Sequence, residues 1–98
     1  MNWSDVIYVG VETETLTSGE IVRSWTWSKR FVNKLSVRSK EFYEARAIGL
    51  KPEIMFEIRS HEYRGEIRLK YKDVEYEVIR TFDKGEFTEL ICSRGLNG

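Results

Sequence analysis

The sequence predicts an all-β, mainly antiparallel protein: a small six-stranded β-barrel or sandwich with one short α-helix between the second and third strands. Three observations carry that expectation. Apolar and polar residues alternate through most of the chain, the period of a strand with one covered face. Glycine-bearing turns cut the alternating runs into short pieces, at "LTSGE" (16–20) and "FDKGEF" (82–87). One stretch, "SVRSKEFYEAR" from Ser36 to Arg46, abandons the alternation for helix formers.

The first strand runs from Asp5 to Glu14, with Ile7, Val9 and Val11 on one face. The second runs from Ile21 to Asn33; Trp25, Trp27 and Phe31 share one face, and Ser24, Thr26, Ser28 and Arg30 take the other. The aromatic face reads as core, which would bury Trp25 and Trp27 along with Tyr76. A ligand-stacking platform is the other reading of a Trp-x-Trp pair. The helix follows. Ser39 is placed to cap it, Glu41 complements its dipole, and Gly49 and Pro52 close it. Its apolar residues fall on two arcs, Phe42 with Ala45, and Tyr43 with Ala47 and Leu50. Either the amphipathicity is loose at the edge of the domain, or the helix packs on its own barrel on one side and on another chain on the other. Arg38 and Arg46 fall on its polar sides, so reversing their charge should shift the melt by only a few degrees.

The third strand spans Glu53 to Ser60, with Ile54, Phe56 and Ile58 inward and Met55, Glu57 and Arg59 outward; the polar "SHEYRG" ends it. Glu66 to Arg80 predicts a hairpin turning at Lys72-Asp73. Pairing Tyr71 with Val74 sets Leu69 opposite Tyr76 and Ile67 opposite Val78 on one face, and Lys70 opposite Glu75 and Arg68 opposite Glu77 on the other. A slip of one residue would scramble both faces, so the charges mark a solvated outer face. Phe87 to Ser93 is the last strand, followed by a frayed "RGLNG" tail.

Composition bounds the function. The 98 residues make one domain (1–98), with a core of about 5–93. Charged residues are 33% of the chain but balance to a formal net charge of zero, which argues against a module held to nucleic acid by bulk positive charge. Cys92 is the single cysteine, so no intrachain disulfide forms; it reads as a small buried apolar residue of a chain that folds in a reducing cytoplasm. No apolar run is long enough for a membrane span, and "MNWSDVIYVG" lacks the basic start of a signal peptide. The lone His61 has no second histidine, cysteine or nucleophile at a recognisable spacing. No phosphate loop, His-x-x-x-His pair or Gly-x-Ser-x-Gly elbow occurs either, so no enzyme activity, metal or cofactor is expected.

The order of elements resembles a known family. The residues that carry the resemblance are Ser39, Glu41, Phe42, Tyr43, Glu44 and Ala45; then Ile54, Phe56, Ile58 and Arg59; then Arg68, Tyr71, Tyr76, Glu77 and Val78; then Glu89, Leu90 and Cys92. Together, from about residue 7 to 93, they resemble the head-closure, or head–tail joining, proteins of tailed bacteriophages. The hairpin turn departs from the family, which usually has glycine where this chain has Lys72-Asp73. The resemblance implies a structural virion protein that forms a ring below the portal and its adaptor, retains DNA, and offers a platform for tail attachment. It further implies an assembly arm over about 34–52, with Arg38, Glu41, Tyr43, Glu44, Arg46, Leu50 and Lys51 at the interface. The implied partners are the portal-associated adaptor protein, a tail-completion protein and further copies of the chain, with DNA passing through without sequence-specific binding. The implied location is the virion, after assembly in the host cytoplasm. The competing expectation is a small β-barrel that binds RNA or single-stranded DNA through Trp25 and Trp27 with Arg23, Lys29 and Arg30.

Overall fold

The protein's computed structural model describes residues 3–38, 40, 46–49 and 51–94. Six strands form it: β1 (Asp5–Thr17), β2 (Glu20–Leu35), β3 (Ile54–Arg59), β4 (Arg68–Tyr71), β5 (Val74–Asp83) and β6 (Phe87–Ser93). All pairings are antiparallel, and the strands close in the order β1-β2-β3-β6-β5-β4. Of barrel and sandwich, the chain takes the barrel. A 3-10 turn at Ser60–Glu62 ends β3 where the polar run begins.

The β4–β5 hairpin has the register that charge and apolarity dictate: Arg68 opposite Glu77, Leu69 opposite Tyr76, Lys70 opposite Glu75, Tyr71 opposite Val74. The ion pair itself runs diagonally, from Arg68 to Glu75 at 2.9 Å. Ile67 departs from expectation. Its carbonyl accepts from Val78 N–H at 2.8 Å, but its side chain is largely exposed rather than packed on Val78. Lys72 and Asp73 both hold positive φ, at 49° and 64°, so the two-residue turn is of type I′ even without glycine. Lysine is strained there, whereas aspartate is tolerated but less suited than glycine. Replacing the pair with Asn-Gly should therefore raise stability by about 1 kcal/mol, read from the urea midpoint.

The interior is filled by Ile7, Val9, Val32, Phe56, Leu69 and Leu90, all essentially inaccessible, with Tyr71 packed edge-on against Phe56 at 5.0 Å between centroids. The Tyr71 hydroxyl donates to Asp5 Oδ1 at 3.2 Å. A bulge between Val78 and Arg80 shifts the β5 register against β6. Without the extra residue the alternation that turns Val78 inward would turn Arg80 inward too. The bulge sends Arg80 out over the Phe82 ring instead, and bends β5 toward closure. Cys92 is fully buried, and burial pushes its thiol up to about 12, far from a reactive thiolate.

The second strand overturns one expectation. Trp25 and Phe31 are exposed and Trp27 is only partly covered; Tyr76, expected with them, is buried. The β1–β2 register explains why. It sets Val9 opposite Ser28 and Ile7 opposite Arg30, so the small and polar side chains of β2 share the inner face, and the tryptophans lie outside over Gly10 and Glu12. Arg30 then reaches the end of the barrel, where Nε donates to the Glu62 carbonyl at 3.0 Å.

Candidate functional site

Three surfaces can meet partners: the connection after β2, the far half of the β1–β2 hairpin, and the aromatic outer face beside it.

The connection leaves β2 at Leu35 and re-enters the barrel at β3. Lys40, Arg46 and Ala47 have helical backbone, and Gly49, at φ 83°, donates its N–H to the Arg46 carbonyl at 3.1 Å. Ser39, Phe42 and Ala45 lie outside the described residues, as do the interface candidates Glu41, Tyr43, Glu44 and Leu50. Arg46 and Lys51 are exposed. Ile48 is also exposed, at 71%, an apolar side chain that the interface expectation did not include. The two ends of the connection meet beside one mouth of the barrel, where Leu35, Val37 and Pro52 line a cleft with Tyr71 and Tyr76. Glu53 N–H anchors the return on the Cys92 carbonyl at 2.9 Å.

Arg38 differs most from its expected setting. Its guanidinium forms a two-pronged bond with Glu89 of β6, at 2.7 and 3.3 Å, and Lys84 Nζ approaches the same carboxylate at 3.4 Å. Glu89 is 5% exposed although it faces away from the barrel interior. Met55 and Ile91, on that same outer face, are fully buried. This side of β3 and β6 is thus covered, and the Arg38 side chain reaches it from the start of the connection. Hydrogen bonding from Arg38 holds the Glu89 carboxyl below its ordinary pKa; burial opposes the shift, and the charges of Arg38 and Lys84 reinforce it. Arg38 is half exposed, and it also ties the connection to β6. Glu57 stands directly opposite Glu89, and its Oε1 is buried with no hydrogen-bond partner among the described residues.

The hairpin outruns the barrel. β4 pairs with β1 only at Tyr8–Gly10, and β3 pairs with β2 only at Asn33–Leu35. From Val11 to Thr26 both faces are exposed, with Leu16, Ile21 and Val22 the apolar residues nearest the tip. β1 is 13 residues long, roughly 40 Å at the usual rise per residue. That accounts for much of the molecule's 50 Å long axis. A tight turn at Ser18-Gly19, both at positive φ, closes the ribbon. Arg23 lies 3.2 Å from Glu14 and 3.7 Å from Glu12 across it, and Thr13 Oγ1 meets Ser24 Oγ at 3.0 Å.

On the outer face at the root of this arm, Trp25 and Trp27 stack at 5.9 Å between centroids. Lys70 Nζ sits 4.2 Å from the Trp27 ring and Arg68 5.4 Å from that of Trp25. Gly10 makes this possible. It is the cross-strand partner of Trp27, and a Cβ there would stand 2.6 Å from Trp27 Cζ3. The ring lies flat across β1 because nothing projects from Gly10, and so reaches the lysine on β4. Gly10→Ala should drive Trp27 off the sheet and cost about 1–3 kcal/mol, with a change in near-ultraviolet dichroism marking the moved ring. A glycine inside an alternating strand is the sequence signal of such close approach. Leu16 and Ile21, flanking a Ser-Gly turn, were likewise legible as exposed tip residues.

His61 is exposed in the 3-10 turn, and no group of three His, Cys, Asp or Glu among the described residues is placed to hold a metal. Neither a protein-family model nor a curated protein matches the chain.

Proposed function

We propose that this chain is a head-closure, or head–tail connector, subunit of a tailed bacteriophage, assembling as a ring below the portal and its adaptor. The observation that carries the reading is the β1–β2 arm. A two-stranded ribbon exposed on both faces is marginal in water, so a chain that extends one this far from a closed barrel is built to lay it against something else. The resemblance supplies the setting, and the balanced charge suits a channel through which DNA slides without sticking. In this reading the connection, with Arg46, Ile48 and Lys51 exposed along it, meets the adaptor above or the tail-completion protein below.

Deleting the gene from the phage or prophage that carries it should give filled heads that leak DNA and lack tails in electron micrographs, and the full chain supplied in trans should restore tailed particles. Ile48→Asp should fold normally yet fail to restore them. Tailed, infectious particles at full titre without the chain would end the proposal.

The outward position of Trp25 and Trp27 favours one second reading, the binding of RNA or single-stranded DNA by stacking on these rings beside Arg23 and Lys29. Against it, Lys70 and Arg68 already lie over the rings, and Arg23 is paired with Glu12 and Glu14. Filter binding across a salt series decides: nucleic-acid retention that falls steeply with salt, and is lost in Trp25→Ala, would establish this reading.

A further inference from the structure

We infer that the β1–β2 arm is a strand-pairing device for a second copy of this chain, the open edge of β1 in one copy joining the open edge of β2 in the next. The inference shares the ring with the reading above but needs only the arm itself.

The hydrogen-bonding pattern comes first. Thr17 and Glu20 flank the two-residue turn and so form a mutually hydrogen-bonded pair. The alternation of an antiparallel ladder then turns the N–H and C=O groups of Glu12, Glu14 and Leu16 away from β2, and those of Ile21, Arg23 and Trp25 away from β1. Tyr8 and Gly10, of the same parity, are the residues that face β4, which fits this assignment. Among the described residues no backbone hydrogen bond reaches either edge beyond Gly10 on β1 or before Asn33 on β2. Natural proteins guard such edges with charged side chains, lysine above all, or with proline or a bulge. Val11–Thr17 and Glu20–Thr26 contain no lysine or proline, the ladder between them is unbroken, and both are rich in β-branched residues.

The two edges also fit each other. They are matched in length and opposite in direction, so copies set side by side make an antiparallel sheet. The β1 edge carries Glu12 and Glu14, and the β2 edge carries Arg23. All three side chains lie on the same face. A neighbour's β1 laid along β2 places its glutamates on the far side of Arg23, so charges alternate from strand to strand, and Leu16 comes beside Ile21 at the tip. Because the joined edges differ, each end of the array keeps one edge open, and the array grows until its rotation closes it into a ring.

Two variants block one edge each. Proline removes a donor that points outward and is tolerated on an edge strand, so Glu14→Pro closes the β1 edge and Arg23→Pro the β2 edge. In analytical ultracentrifugation of the full chain, the wild type should move from monomer to larger species as concentration rises. Each variant should associate at least tenfold more weakly, and a one-to-one mixture should stop at a dimer, since only one compatible pair of edges remains. Hydrogen exchange of the wild type supplies a check that does not rely on the variants folding: the amides of Glu12, Glu14, Leu16, Ile21, Arg23 and Trp25 should slow with concentration. A wild type that stays monomeric with these amides unprotected, or variants that assemble as the wild type does, would overturn the inference and leave the edges to a strand of some other protein. Heads closed normally by Glu14→Pro would overturn this inference alone. Assembly through these edges by a chain dispensable for filled heads would overturn head closure alone.

Discussion

Phe56→Ala is expected to lower stability by about 3–5 kcal/mol, whereas Trp25→Ala is expected to cost about 1 kcal/mol. The contrast follows from where the two rings lie. Phe56 is fully buried at the centre of the barrel and meets Tyr71 edge-on, so truncation opens a cavity between strands that cannot collapse without breaking the closed ladder. Trp25 is 37% exposed on the arm, and its contacts are Trp27 on one side and Arg68 over the face. A protein of ordinary stability, about 5–15 kcal/mol, would be brought near its limit by the first change and little disturbed by the second. Urea unfolding of both variants is the measurement. A Trp25→Ala loss as large as that of Phe56→Ala would show that the outward placement of the tryptophans is wrong.

Arg38→Glu should cost about 2 kcal/mol: it strips a charged hydrogen bond from the buried Glu89, but Arg38 itself is half exposed and Lys84 still reaches the carboxylate. In a domain of this size that is a fall in melting temperature of roughly 8–16 °C. The sequence-based expectation for a polar helix flank was a change of a few degrees, so the melt separates the two accounts. The same pair makes a pH prediction. The Glu89 carboxyl is held low in the folded protein, chiefly by the bond from Arg38. Its contribution to stability is therefore complete above the unfolded glutamate value of about 4.3 and is lost as pH falls through the lower folded value. Glu89→Gln should flatten the acid limb of the stability curve. If wild type and variant lose stability in parallel below pH 4.3, Glu89 is not the linked group.

Arg38 is one of the interface candidates, but it is a poor probe of assembly. Reversing this charge unsettles the outer face of β3 and β6 before any partner is met, so a failed complementation would not by itself identify Arg38 as a contact. Ile48 and Lys51 are the cleaner probes, since both are exposed in the connection.

The sequence by itself determined the strands and the pairing of β4 with β5. Opposed charges and apolar pairs in 66–80 admitted only one register, and that register forms. The alternation of Ile54, Phe56 and Ile58 named a core face because all three are apolar and their neighbours Glu57 and Arg59 are charged. Turn chemistry located Gly19 and Gly85 at positive φ. What only the tertiary structure decided was which face of β2 is inside. Local pattern favours the heavier side chains, and Trp25, Trp27 and Phe31 outweigh Ser24, Thr26 and Ser28. Yet cross-strand partners share a face, and β1 brings Ile7 and Val9 to the side of Arg30 and Ser28. At the height of Trp25 no third strand pairs with the hairpin, so neither face has an interior to enter. The bulge before Arg80 and the bond from Arg38 to Glu89 were hidden for the same reason. Each depends on a strand or loop arriving from far along the chain, and a period of two carries no information about what arrives.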